Sequence, residues 1–255
     1  MGAVRAAIGD GVLTFMWVFC ASTLGAATSV IATAVGVQGT ASLLITTVLV
    51  FMLLLIFGVI GDALGGASFN PTGTAAFYAA GLGRDTLVSA AVRFPAQKSF
   101  NFGIKKHQFL LLLVKALGAV GGALAIVELM PLEHKHMLGG PSLKVDLHTG
   151  AIAEGVLTFV ISFLVLYIIL KGPKSPLMKN LMLSMSVVTM VVVGSGYTGP
   201  SMNPAYAFGW AYVNNRHNTW EQFYVYWICP FVGAIFAGWV FRVFFPRPLK
   251  KKKTA

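Results

Sequence analysis

Long apolar runs alternate with short polar connections along almost the whole chain. Runs close to the ~20 residues that a helix needs to cross a bilayer fall near Ala6–Val30, Ala41–Ile60, Gln108–Leu129, Gly150–Leu170, Leu177–Gly194 and Glu221–Phe245. Two further apolar segments, Thr72–Ala80 and Ala205–Val213, run only about ten residues before Gly81-Leu82-Gly83 and Asn214-Asn215 interrupt them. At ~1.5 Å per residue each is roughly 15 Å long, half of a ~30 Å hydrocarbon core. The pattern predicts an all-α membrane protein with six spanning helices and two half-helices, one between the second and third spans and one after the fifth.

Both half-helices begin on the same phrase. Gly66-Ala67-Ser68-Phe69-Asn70-Pro71 is followed by Thr72, and Gly199-Pro200-Ser201-Met202-Asn203-Pro204 by Ala205, so both copies read G-x-S-x-N-P-small. Asn is a favoured helix N-cap and Pro is preorganised for the first helical position, so each copy announces a helix starting at its proline. A single Asn-Pro is usually a turn or a helix start and nothing more. Paired interrupted segments at corresponding places in two halves point instead to a central binding or conduction site.

The repetition extends beyond the boxes. Ile8-Gly9-Asp10-Gly11-Val12-Leu13-Thr14-Phe15 matches Ile152-Ala153-Glu154-Gly155-Val156-Leu157-Thr158-Phe159, with an acid at the same place, and Gly118-Ala119 parallels Gly233-Ala234. Three spans per repeat is an odd number, so the halves insert with opposite orientation. The half-helices then enter from opposite faces and meet N-terminus to N-terminus near the midplane. Repeat 1 runs from about 6 to 130 and repeat 2 from about 150 to 245, within a single membrane domain covering 1–255.

The paired boxes resemble the two Asn-Pro-Ala motifs of the aquaporin family, with Thr in place of Ala in the first, and the resemblance covers nearly the whole chain. In detail the chain is similar to the plant small basic intrinsic protein branch, whose first box is typically Asn-Pro-Thr. The resemblance implies a passive water channel with Asn70, Pro71, Thr72, Asn203, Pro204 and Ala205 as its pore motif, and it implies a homotetramer. The family also has a ring of four selecting side chains, one of them usually Arg just after the second box. Counted from the boxes, the ring here falls at Val50, Val191, Pro200 and Tyr206, apolar apart from one phenol. Buried acids are costly in hydrocarbon and mark function by default. The resemblance gives Asp10 and Glu154 the support of loop backbone around the pore, with proton transfer as the competing role.

Charge fixes an orientation. With both termini cytoplasmic, only Lys135, Lys144 and Arg216 of the nineteen Lys and Arg fall on the far side. That bias follows the positive-inside rule and accounts for the net charge of +11 without nucleic acid. A composition 56% hydrophobic and 11% charged leaves no room for a second, soluble domain. The first run is too long for a signal-peptide core and is expected to stay in the mature protein. Cys20 and Cys229 lie inside apolar spans as small hydrophobes, and His134, His136 and Glu133 share a solvated loop, so no metal or other cofactor is expected. The spans hold no nucleophile–base pair, which argues against an enzyme. The partners this leaves are water or another small neutral solute and the lipid bilayer.

Two local features stand apart. Asn70 to Gly118 is 48 residues and Asn203 to Gly233 is 30, and the excess of 18 equals the length of Lys98–Lys115, which reads as an insert. Phe109–Val114 is apolar enough to replace the first turns of the third span, which predicts a helix over Gln108–Leu129. The alternative register makes Leu87–Gln97 continuous with Gly118. In the first register Lys115 lies about two turns in, where a charge costs ~2.5–3.5 kcal/mol unless it snorkels or meets a carboxylate. The basic tail, 246–255, ends Lys250-Lys251-Lys252-Lys253-Thr254-Ala255. Such a cluster anchors to anionic lipid at ~1 kcal/mol per charge. Lys252 and Lys253 also resemble the dilysine retrieval signal of the endoplasmic reticulum, a membrane with which the small basic branch is associated, so residence there is expected. Three functions stay open at this point: a water channel, a channel for hydrogen peroxide, urea or glycerol, and a non-conducting membrane scaffold.

Overall fold

The computed structural model describes residues 2–82 and 106–246, and among these the regular structure is helical. Apart from the single turn Leu132–Lys135, the α-helices in chain order are α1 (Gly2–Ser22), α2 (Leu24–Ala34), α3 (Ser42–Ala63), α4 (Pro71–Ala79), α5 (Lys106–Leu129), α6 (Leu147–Leu170), α7 (Pro176–Gly194), α8 (Pro204–Val213), α9 (Trp220–Phe223) and α10 (Cys229–Phe244). A π-helical turn, Tyr224–Ile228, joins α9 to α10. Among the described residues five stretches are long and apolar enough to cross a membrane: Val4–Ala34, Gly39–Ala63, Leu147–Leu170, Pro176–Gly194 and Trp220–Phe244. Helix α5, at 24 residues, matches them in length. The half-helices α4 and α8 are 9 and 10 residues long, as the early interruptions of their apolar runs require.

Helix ends follow local chemistry. Asp146 caps α6 by accepting from the backbone N–H of His148 at 3.1 Å and of Thr149 at 3.0 Å. Ser175 caps α7 ahead of Pro176 at its first position. The first span, expected as one helix over Ala6–Val30, is instead two, broken at Thr23. The Ser22 hydroxyl donates to the Val18 carbonyl at 2.6 Å and the Thr23 hydroxyl to the Cys20 carbonyl at 2.7 Å. Two successive hydroxyls bonding back to the preceding turn compete with the helical ladder and bend it. The third span starts at Lys106, two residues before the expected Gln108. Leu87–Gln97, on which the alternative register depends, lies outside the described residues, as do Lys252 and Lys253.

Helices pack through glycines, in pairs that repeat between the halves. A Cβ on Gly118 of α5 would run into the Gly11 carbonyl of α1, and a Cβ on Gly233 of α10 into the Gly155 carbonyl of α6. These are corresponding positions in the two halves. The half-helices seat the same way: Gly209 of α8 lies on Ala119 of α5, and Ala76 of α4 lies on Gly238 of α10. In lipid, where apolar burial supplies little drive between helices, such close backbone approach holds the bundle together.

Candidate functional site

The two half-helices meet at their N-termini, and the asparagines are the meeting point. Asn70 caps α4 by accepting from the Thr72 N–H at 3.0 Å, and Asn203 caps α8 by accepting from Ala205 N–H at 3.1 Å and Tyr206 N–H at 3.4 Å. Each asparagine then reaches across. Asn70 Nδ2 donates to the Met202 carbonyl at 3.1 Å, and Asn203 Nδ2 donates to the Phe69 carbonyl at 3.3 Å. A side-chain amide carries two N–H groups, so each asparagine keeps one donor beyond the cross-link. Thr72 adds a third link, with its hydroxyl 2.7 Å from Asn70 Oδ1 and 3.0 Å from the Met202 carbonyl. Pro71 and Pro204 are buried as the first residues of their helices. All six residues of the sequence-predicted pore motif therefore stand at one junction, where two helix N-termini bring roughly half a positive charge each.

Behind each box stands one of the matched acids. Asp10 Oδ1 accepts from the Ser68 N–H at 2.8 Å. Glu154 Oε1 accepts from the Ser201 N–H at 2.7 Å and from the Thr198 hydroxyl at 3.3 Å, while Oε2 accepts from the Met202 N–H at 3.1 Å. Both serines pass the restraint on, Ser68 donating to the Asn70 carbonyl at 3.1 Å and Ser201 to the Asn203 carbonyl at 2.6 Å. Met202 has φ 50°, a left-handed conformation unusual for a side-chain-bearing residue, and the Glu154 carboxylate pins its amide there. The acids thus make the backbone contacts that loop support requires.

Three further contacts complete the site, and the first supplies the carboxylate that the depth of Lys115 in its span called for. Asp10 Oδ2 pairs with Lys115 Nζ at 3.0 Å, with both side chains 4% exposed. Tyr226, in the π-helical turn, donates its hydroxyl to the Thr198 carbonyl at 3.1 Å and so braces the loop that bonds Glu154. Trp17 stacks on Phe69 with ring centroids 3.8 Å apart, and Phe57 meets both rings edge-on. The residue before Asn70 is thereby clamped from α1 and α3.

The four ring positions sit in different surroundings. Val50 is buried in α3, Pro200 is buried against Gly194 at the end of α7, and Val191 is 43% exposed on α7. Tyr206 is half-buried and packs against two buried clusters, one of Val18, Ala119, Ala123 and Ala205 and one of Ala26, Ile126, Met130 and Trp210. Its ring is lodged between α1, α5 and its own half-helix. Elsewhere, His134 stands 3.6 Å from Glu133 in the one-turn helix Leu132–Lys135, where a loop was expected. Among the described residues no three His, Cys, Asp or Glu side chains gather as metal ligands would.

Comparison with known proteins adds sequence and fold likeness. The family model described as "Major intrinsic protein" matches residues 88–241. Aquaporin SIP1-1 of Zea mays is 59% identical over 258 residues, covering 100% of this chain and 98% of that protein. Aquaporin SIP1-1 of Arabidopsis thaliana is 51% identical over 255 residues, covering 99% and 98%. The X-ray structure of the aquaglyceroporin from Plasmodium falciparum superposes with a TM-score of 0.65 at 17% identity, over 96% of this chain and 98% of that one.

Proposed function

The chain belongs to the major intrinsic protein family, in its small basic intrinsic protein branch, whose members are channels and not enzymes, and on that premise we propose a passive water channel of an intracellular membrane. The observation that carries the choice of water is the junction of the boxes. Two asparagine amides stand there with one N–H each beyond their cross-links, between facing helix N-termini. A water oxygen can accept from both donors, while the paired positive ends repel a cation or a migrating proton. Asp10 and Glu154 are tied behind the loops by backbone amides, and Asp10 is further paired with Lys115.

A second reading is a channel for another small neutral solute. It rests on Tyr206, which stands where the family usually has an arginine. Losing that cation removes a donor and a repulsive charge, and the tyrosine ring packs toward α1 and α5. Stopped-flow light scattering of proteoliposomes separates the readings. Water permeability well above protein-free vesicles, with slow uptake of hydrogen peroxide, urea and glycerol, is the expected result. Fast uptake of a solute favours the second reading, and no flux of any kind favours a scaffold.

The remaining parts of the proposal rest on sequence. The Lys and Arg bias argues for both termini in the cytoplasm, the unequal spacing of the repeats for the inserted 98–115 segment, and the resemblance for a homotetramer. Lys252 and Lys253 serve as a retrieval signal for the endoplasmic reticulum. Lipid anchoring tolerates a shift along the tail, whereas a receptor-read address does not. Appending two alanines after Ala255 keeps every charge and moves the lysines inward. Escape of the extended protein to later membranes is expected, and unchanged retention refutes the signal.

A further inference from the structure

We propose that Lys115 is a positioning residue for the first Asn-Pro box, holding Asn70 in place through Asp10. The two otherwise matched supports differ in how their carboxylates are used. Glu154 receives two backbone amides and a hydroxyl from the second loop and so uses both of its oxygens on that loop. Asp10 is one methylene shorter and receives a single loop amide, from Ser68 at 2.8 Å, on Oδ1. Its other oxygen faces away from the loop and is met by Lys115 Nζ at 3.0 Å from α5. The second box is therefore held by α6 alone, and the first by α1 with α5 behind it.

The second half has nothing equivalent to this lysine. Aligning Gly118 with Gly233 places Pro230 opposite Lys115, and proline offers neither a side-chain nor a backbone donor. Lys115 lies nine residues into α5, ~13.5 Å along the helix, and its side chain is only 4% exposed. A lysine at that depth is costly without a carboxylate, and the carboxylate it meets is the one that holds the box. The path from the ammonium to the site is short. Lys115 orients Asp10, Asp10 holds the Ser68 amide, and the Ser68 hydroxyl donates to the Asn70 carbonyl at 3.1 Å. Lys115 is also the last residue of the 18-residue stretch that separates the repeats in length, so that stretch ends at the pore support.

Amide hydrogen exchange followed by peptide mass spectrometry tests this on the full chain in proteoliposomes. In Lys115→Met the amide of Ser68 is expected to exchange at least about tenfold faster, the effect of losing one charge-assisted anchor. The Ser201 and Met202 amides, held by Glu154, keep the parent rate. Lys115→Arg, which keeps the cation, restores protection at Ser68. Should Lys115→Met not fold, the Asp10→Asn/Lys115→Met variant removes both buried charges, and Ser68 is still expected to exchange faster than in the parent because the introduced asparagine has no cation to anchor it. Parent-like protection at Ser68 in either uncharged variant overturns the proposal. So does equal loss of protection at both boxes, which is general destabilisation. Water flux measured on the same vesicles rests on the channel reading. A parent that conducts no water refutes that reading, while the exchange rates still decide the role of Lys115.

Discussion

Replacing Glu154 by glutamine removes one negative charge and one acceptor while leaving size and shape almost unchanged. The side chain is fully buried, and its two oxygens receive Ser201 N–H at 2.7 Å and Met202 N–H at 3.1 Å. A glutamine has one oxygen, so its NH2 group must face one of those two amides, donor against donor. Losing one hydrogen bond to a charged group costs ~1.5–3 kcal/mol, and the surviving bond weakens to a neutral one. Met202 adds to this, because its left-handed backbone at φ 50° costs ~1–2 kcal/mol that the carboxylate now offsets. A loss of about 3 kcal/mol follows, which at ~2–4 °C per kcal/mol for a chain of this size lowers the Tm by about 6–12 °C. Thermal unfolding of the purified protein in detergent reads the shift, and proteoliposome swelling reads the accompanying fall in water permeability. Glu154→Asp, whose arm is as short as that of Asp10, is expected to lie between the two. A Glu154→Gln protein with a Tm within about 2 °C of the parent and unchanged permeability refutes the role of this carboxylate in holding the second box.

Three further outcomes are expected. The Asn70→Ala/Asn203→Ala double variant loses both caps, at ~1 kcal/mol each, together with both cross-links, and folded protein purified by size exclusion should swell no faster than empty vesicles. Gly118→Ala and Gly233→Ala press a methyl into a facing backbone carbonyl and should each cost about 3 kcal/mol in detergent unfolding, against ~0.5 or less for Gly139→Ala, which meets open space. Asp146 is held below its ordinary carboxyl value of 3.8 by the side-chain and backbone hydrogen bonds of Thr149 and the backbone bond of His148. A folded value below the unfolded one contributes stability at higher pH that is lost on acidification. The Tm gap between parent and Asp146→Asn should therefore be widest near pH 6 and close as pH falls through 3.8 and below.

Much of the site was legible because its chemistry is local. An Asn that caps and a Pro that starts a helix act within three residues, so the boxes announce α4 and α8 wherever they occur. The acids were legible through repetition, since the same octapeptide pattern puts Asp10 and Glu154 at matching places behind matching boxes. The partner of Lys115 was not legible. The hydropathy pattern shows that a lysine two turns into a span needs a carboxylate, but the choice of Asp10 depends on the faces at which α1 and α5 touch, fixed by Gly11 against Gly118. The π-helical turn was also missed, although Pro230 carries a signal for it. Its missing N–H leaves the Tyr226 carbonyl without the usual helical donor, and the extra residue accommodated there turns the Tyr226 hydroxyl onto Thr198. The break at Thr23 follows from two adjacent hydroxyls whose back-bonding geometry a run of apolar residues does not reveal.

Thr72 and Ala205, the one point at which the boxes differ in their third residue, reach the same result by different means. The orientation of a side-chain amide is set by what its oxygen must accept, and each asparagine oxygen here has two donors. Asn203 Oδ1 takes two backbone N–H groups, from Ala205 and Tyr206. Asn70 Oδ1 takes the Thr72 N–H and lies 2.7 Å from the Thr72 hydroxyl, whose one proton it shares with the Met202 carbonyl. With both oxygens committed to their own half-helices, both NH2 groups are turned outward, one N–H to the opposite loop carbonyl and one to the junction. A junction that presents two amide donors, at the positive ends of two helices, suits a lone pair on a neutral oxygen and opposes a cation. The apolar positions Val50, Val191 and Pro200 can narrow a path but cannot tell a cation from water by hydrogen bonding, so on the proposed reading that discrimination rests on the two boxes and on whatever keeps their amides turned the same way.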